Sequence, residues 1–250
     1  MNLNDLPKTD LLNIAQALQV LDEKQKYNKQ AFLYPETGKF SRTAYYKHID
    51  FFIAGAKYKE RALIAANRVG KSFCAAYEMS LHLNGKYPEW WKGKVFKEPI
   101  EAWCVGKTHL TTRDILQKYL VGNRYDIGTG MIPRDDLYWD GKFHITSKSA
   151  PPDSIQDVYV KHYTNDIFDG YSHVEFKAYE QGDQAFMGTG MHVIHLDEEP
   201  DKRSIYGQCL TRTMTTNGII LCTFTPEEGL TEVVLSFLPG GRFPENGVVE

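Results

Sequence analysis

The segment Ala65-Ala66-Asn67-Arg68-Val69-Gly70-Lys71-Ser72 places a glycine, a lysine and a hydroxyl in succession directly after the apolar run Arg61–Ala66. A glycine there lets the backbone approach an anion closely. Backbone N–H groups at the start of a following helix then converge on phosphate oxygens, with Ala66, Asn67, Arg68 and Val69 forming the loop. In such a site Lys71 neutralises β/γ-phosphate oxygens and the Ser72 hydroxyl completes a Mg²⁺ shell, so the ligand pointed to is a nucleoside triphosphate. The pattern departs from G-x-x-x-x-G-K-S only at its first position, Ala65. Arg68 adds a cation beside the γ-phosphate, and its bland role is a salt bridge that braces the loop.

A second group, Met191-His192-Val193-Ile194-His195-Leu196-Asp197-Glu198-Glu199-Pro200, is an apolar strand that ends in acids. Carboxylates at the C-terminal edge of an open α/β sheet lie where such sheets bind ligands. Asp197 is expected to hold Mg²⁺ through water, and Glu198 to polarise the attacking water, with Glu199 as the competitor for that role. His192 and His195, three apart on a strand, point to opposite faces and read as structural. A third group, Thr223-Phe224-Thr225-Pro226-Glu227-Glu228-Gly229, ends another strand, where Thr223 and Thr225 could sense a γ-phosphate or simply cap a turn. Arg212, with Arg113, Arg124, Arg134 and Arg203, supplies candidates for an arginine acting on a neighbouring subunit's phosphates, Arg212 being the first choice.

The elements needed to hold these residues are legible as periodicities. Leu11, Ile14, Ala15, Leu18 and Leu21 recur at helical steps behind Thr9-Asp10, predicting a helix to about Lys26, and Tyr45, Ile49, Phe52, Ile53 and Ala56 predict a second. Strands are expected at 61–66, 100–106, 192–196 and 218–225, and helices at 71–83, 110–121, 204–213 and 230–238. Strand and helix alternate, which means crossover connections and a mostly parallel sheet flanked by helices. Within 122–183 the stretches 143–146, 158–163 and 173–176 read as antiparallel strands whose order the sequence leaves open.

At 250 residues the chain can bury a sizeable core, and 42% hydrophobic with 24% charged residues excludes collagenous, coiled-coil and wholly disordered classes. No apolar run approaches the roughly 20 residues of a membrane span, and no membrane partner is expected. The four cysteines, Cys74, Cys104, Cys209 and Cys222, are widely spaced and read as buried thiols. Net charge is −3, yet residues 1–100 hold 16 Lys/Arg against 10 Asp/Glu. Any contact with nucleic acid is therefore local rather than spread over the whole surface.

Taken together, Asn67–Ser72, Asp197–Pro200 and Thr223–Pro226, in that order and spacing, resemble the large terminase subunit of tailed bacteriophages, the motor that pumps DNA into procapsids. Tyr87-Pro88-Glu89-Trp90-Trp91, Trp103–Thr108 and Phe176–Gly182 are similar to the same family. The resemblance runs from about Tyr34 to Pro239. It implies a P-loop NTPase fold of the additional-strand, catalytic-glutamate type, with ATP and Mg²⁺ as cofactors. It also implies double-stranded DNA as substrate, a small terminase subunit and the portal protein of the procapsid as partners, and a homo-oligomeric ring when assembled, the isolated chain being allowed as a monomer. The location implied is the host bacterial cytoplasm, with transient docking at the portal and no place in the mature virion. The expected organisation is an N-terminal helical appendage or lid at 1–40, an ATPase domain at 41–238, and at 239–250 the start of a linker to a C-terminal nuclease domain, so nuclease activity is not expected of these residues. Where the family places an adenine-recognising glutamine, this chain reads Tyr45-Tyr46-Lys47-His48-Ile49-Asp50, leaving His48 or Tyr46 for that task.

Readings from other classes are a helicase-like or recombination ATPase, which requires base-stacking aromatics and motifs beyond residue 225, and a scaffold that binds nucleotide without hydrolysing it, against which Glu198 argues. A small-molecule kinase requires an arginine-rich lid that the sequence does not display.

Overall fold

The computed structural model describes residues 7–148, 151–226, 229 and 231–242. In chain order the elements are α1 (Lys8–Tyr27), α2 (Tyr46–Ala54), β1 (Glu60–Ile64), α3 (Lys71–Asn84) and β2 (Glu101–Gly106). A continuous helical stretch follows as α4 (His109–Thr111), a π-helical segment Thr112–Gln117 and α5 (Lys118–Leu120). Next come the short pair β3 (Gly122–Asn123) and β4 (Asp126–Ile127), then β5 (Ile145–Lys148), β6 (Ser154–Thr164) and β7 (Ile167–Ala178). The last elements are β8 (Val193–Asp197), α6 (Arg203–Met214), β9 (Ile219–Phe224) and α7 (Glu232–Ser236). Of the sequence features named above, Glu227, Glu228, Leu230 and residues 243–250 lie outside the described residues.

Seven strands form one sheet in the order β1-β9-β8-β2-β7-β6-β5. The pairs β1·β9, β9·β8, β8·β2 and β2·β7 are parallel, whereas β7·β6 and β6·β5 are antiparallel. The strand that bears Thr223 and leads into Thr225 thus lies between the loop-bearing strand β1 and the acidic strand β8. Strand β7 is the hinge of the architecture, parallel to one neighbour and antiparallel to the other, which settles the order left open in 122–183.

Both faces of the parallel part are covered, so burial alternates between two layers rather than between core and solvent. Ile219 and Leu221 of β9 join Ala102, Cys104 and Val193 on the α3 face. Their neighbours Ile220, Cys222 and Phe224 join Trp103, Val105 and Leu196 on the α6 and α7 face. All four cysteines are buried free thiols, and burial pushes Cys209 up to about 12.

The helix α3 is buried along most of its length and is tied to β1 by a buried ion pair, Arg61 Nη2 to Glu78 Oε1 at 2.7 Å. Burial by itself would raise the Glu78 carboxyl, but Arg61 and His82 hold it below its usual value. We expect Arg61→Ala to cost about 3–5 kcal/mol in urea unfolding, because it leaves a carboxylate stranded in the core. A loss under about 1 kcal/mol would show that the pair is not holding α3 to the sheet.

One sequence expectation is corrected at the N-terminus. Thr9-Asp10 is not the cap of α1: the helix already begins at Lys8, after Pro7, without a side-chain cap. No residue of α1 is buried, whereas Gln30 and Tyr34, within the same expected N-terminal segment, are buried, Gln30 donating to Ser80 Oγ of α3 at 2.9 Å.

Candidate active site

The loop between β1 and α3 is held in conformations that few residues adopt. Gly70, at the N-cap of α3, has φ +91°, and Arg68 has φ +66°. A glycine satisfies this at no steric cost, whereas the arginine in the left-handed region is a strained backbone position. Together they fold the chain back so that Lys71, on the first turn of α3, lies beneath its own loop. Its Nζ donates to the Ala65 and Ala66 carbonyls at 3.0 Å each and to Thr225 Oγ1 at 2.9 Å. Thr225 Oγ1 is also 3.0 Å from the Ala65 carbonyl and 2.7 Å from Asn67 Oδ1. With one proton to give, it can serve only one of those two acceptors.

Strands β8 and β9 complete the group in register, Asp197 lying opposite Thr223. Odd-numbered side chains of both strands face α3, so Asp197 meets Ser72, whose Oγ donates to Asp197 Oδ1 at 2.7 Å. Thr223 Oγ1 donates to the same carboxylate oxygen at 2.7 Å. Having spent its proton there, Thr223 accepts from His195 Nε2, 2.7 Å away, which fixes the proton of His195 on Nε2. Burial lowers the His195 pKa against the pull of Asp197, so the imidazole is neutral. His195 is structural in its burial, yet its task is to orient Thr223 toward Asp197. The strand register between β8 and β9, which a sequence does not print, was the only signal for it. His192 accepts from the backbone N–H of Glu101 at 3.1 Å, away from the site.

Where β8 ends, Glu198 turns to φ +61°. Its N–H donates to the Thr223 carbonyl and its own carbonyl accepts from the Tyr179 hydroxyl, both at 2.9 Å. The side chain therefore leaves the strand alternation and enters a cleft of about 360 Å³, lined also by Asn67, Lys107, Thr225 and Arg203. Glu199 lines the same cleft, but its Oε1 accepts the hydroxyl of Thr231, the N-cap of α7.

On the other side of the loop a second cleft, about 240 Å³, is walled by Phe40, Tyr45, His48, Phe73 and Tyr119, with Arg68 and Val69 at its rim. His48 Nδ1 lies 2.8 Å from the Tyr34 hydroxyl, and a Cβ on Gly70 would come within 3.3 Å of the His48 ring. Burial lowers the His48 pKa. Tyr46 is 58% exposed and does not line this cleft. The aromatic set escaped sequence reading because it gathers from α2, α3, α5 and the loop before α2.

The structure therefore brings Ala66, Asn67, Gly70, Lys71, Ser72, Asp197, Glu198, Thr223 and Thr225 to one edge of the sheet, with Arg68 and Val69 facing the aromatic cleft. Among the described residues no ion pair braces Arg68. Arg212 is not brought there. Its Nη1 donates to the Gly188 carbonyl and its own carbonyl accepts from Met191 N–H at 2.9 Å, at the opposite, N-terminal edge of β8. The six residue steps from Met191 to Asp197, which take in the whole of β8, separate the two edges by about 20 Å.

Comparison with known proteins places the chain in a family. A large terminase subunit of Salmonella phage P22 is 36% identical over 255 residues, covering 95% of this chain and 47% of its own length. The chain thus spans about half the length of that curated relative. The ATPase domain of the Thermus phage P74-26 large terminase has the same fold, with a TM-score of 0.52 at 14% identity over 77% of this chain and 72% of that one. A point mutant of that domain gives 0.53 at 16% identity over 73% and 65%. The family described as terminase large subunit, T4likevirus-type, N-terminal, matches residues 62–245. Because that match takes in the loop, both strands that face it and the helices around them, this chain belongs to the terminase large subunit family, in its N-terminal part.

Proposed function

We propose that the chain is the ATP-hydrolysing motor domain of a DNA-packaging terminase, with the working unit at residues 41–238. The observation that carries this reading is the pair of adjacent residues at the start of α3, Lys71 donating to the loop carbonyls and Thr225 at 2.9 to 3.0 Å and Ser72 donating to Asp197 at 2.7 Å, with Glu198 as the next residue after Asp197. In it, the N–H groups at the start of α3 receive the phosphates, and Lys71 exchanges its carbonyl partners for β/γ oxygens. A hydroxyl and a carboxylate 2.7 Å apart beside that lysine are the hard oxygen donors that suit Mg²⁺, with Ser72 as direct ligand and Asp197 acting through water. When bound, the ion neutralises charge on the β- and γ-phosphates. Glu198 orients and deprotonates the attacking water, while Tyr179 and Thr223 hold its backbone. Thr231 engages Glu199, which supports Glu198 in the role of base. The aromatic cleft beside Val69 and Gly70 is suited to a purine, stacking it where the family places a glutamine.

Double-stranded DNA, the small terminase subunit and the portal belong to this proposal as partners, with a ring of subunits as the working form. Arg212 would act only toward a neighbouring subunit, since its own nucleotide edge lies across the sheet.

The test is phosphate release from ATP and Mg²⁺, with and without duplex DNA and procapsids. Turnover is expected to be weak for the chain alone and to rise on assembly, because an arginine supplied across a subunit boundary is worth about 10³ to 10⁵ in rate. Release that never exceeds a Lys71→Ala background, with procapsids present, would favour the non-hydrolysing scaffold.

A further inference from the structure

The helix α1 stands off the rest of the molecule. None of its residues is buried, and Leu11, Ile14, Leu18 and Leu21 are 38%, 39%, 56% and 42% exposed. It also precedes the part of the chain that the family match accounts for, which starts at residue 62. The helix is fastened at its C-terminal end, where Lys26 pairs with Asp126 and the Tyr27 hydroxyl donates to Asp126 at 3.2 Å. On a helical wheel Lys26 lies about 100° and Tyr27 about 160° from the centre of the four apolar residues, so this anchorage leaves the stripe uncovered.

The spacing of those residues is three, four, three. That is the narrow stripe of a two-helix seam, in which apolar side chains at alternating steps interlock with those of one facing helix. The residues flanking the stripe are Lys8, Ala15 and Asp22 on one side and Asp10, Ala17 and Lys24 on the other. Among the described residues, no ion pair within the chain involves Lys8, Asp10, Asp22 or Lys24.

We propose that α1 is a self-association surface whose occupant is the α1 helix of a second copy of this chain, packed antiparallel about a two-fold axis. In that arrangement Leu11 packs against Leu21 of the other copy and Ile14 against Leu18, which uses the four residues of the stripe, while Leu12 and Val20, also exposed, lie outside it. The same register sets Lys8 opposite Asp22 of the other copy and Asp10 opposite Lys24, each contact occurring twice by symmetry. Ala15 faces Ala15 and Ala17 faces Ala17 near the axis, where small side chains let the helices approach. Sliding one helix by a heptad in either direction leaves the charges facing alanines and uncovers part of the stripe. A parallel pair sets Asp10 against Ala15 and Ala17 against Asp22, with no complementary contact. Charge and apolar pattern thus select one orientation and one register.

Such an isologous contact closes on two copies, so it is a different assembly from any head-to-tail ring. Two heptads make a small interface, so the association is weak and sensitive to salt.

Sedimentation equilibrium of the chain from low to high micromolar concentration, at low ionic strength, tests the surface. The mass should rise from one copy toward two, and Leu18→Glu should hold the protein at one copy while circular dichroism shows α1 intact. Lys8→Glu turns two attractive contacts into repulsive ones and should weaken association about tenfold. Adding Asp22→Lys should restore it. An Ala15→Cys chain should join to itself through a short bis-maleimide, since only the antiparallel pair brings residue 15 of both copies together. A chain that stays at one copy throughout overturns the proposal, as does a dimer untouched by Leu18→Glu. A dimer in which the double variant fails to restore affinity, or in which residue 15 does not join, overturns the antiparallel register.

Discussion

A Lys71→Ala chain is expected to lose ATP turnover by at least about 10²- to 10³-fold, and its affinity for a fluorescent nucleotide with it. The expectation follows from where the ammonium sits. It is 7% exposed and held between two loop carbonyls and Thr225, so no other cation of the loop can reach the same point. Arg68, the nearest alternative in sequence, faces the aromatic cleft instead. Because Lys71 also ties the loop to β9, the variant's melting curve must be recorded beside its activity. A folded variant with wild-type turnover would remove the loop from the mechanism altogether.

Glu198→Gln separates binding from chemistry. The amide keeps the size and the main-chain contacts of the residue and loses only the ability to take a proton, so nucleotide affinity should stay near wild type while turnover falls by about 10² or more. Glu199→Gln should act differently. Its carboxylate already accepts the Thr231 hydroxyl, so the expected result is a loosened start of α7 and a modest loss of activity. If Glu199→Gln abolishes turnover and Glu198→Gln spares it, the base has been assigned to the wrong carboxylate.

The parts of this site that could be read from the chain are those whose chemistry is local. The signature of a phosphate cradle in Asn67 to Ser72 needs only its own strand and helix to be recognised, and that of Asp197 and Glu198 only a strand that ends. What could not be read depends on which strands become neighbours. His195 is an ordinary core histidine until β9 is set beside β8, whereupon it orients Thr223, and Thr223 in turn donates to Asp197. The distance of Arg212 from its own subunit's nucleotide edge was hidden for the same reason. That residue lies close to Glu198 in sequence, but α6 runs 12 residues, about 18 Å at 1.5 Å per residue, and carries the arginine back along the sheet to the far edge. The order of the antiparallel strands was hidden because β7 changes the sense of pairing between its two neighbours.

The place of β9 in the sheet also governs the order in which the molecule can assemble. Strands β6 and β7 turn directly into one another at Thr164 and Ile167, so their pairing closes almost no loop and can form early. Strand β1 has β9 as its one neighbour in the sheet, and the contact from the start of α3 to the residue after β9, Lys71 to Thr225, joins residues 154 positions apart. Closing a loop of that length precedes any reward from the contacts it permits, which makes it a late event. Until β9 has been synthesised and has slipped between β1 and β8, the lysine has no threonine to meet and the first strand has no sheet to join. Nascent chains shorter than about 225 residues should therefore possess the hairpin and the β2–β8 pair but no nucleotide cradle, so that capacity to bind phosphate arises only once nearly all of this domain has left the ribosome.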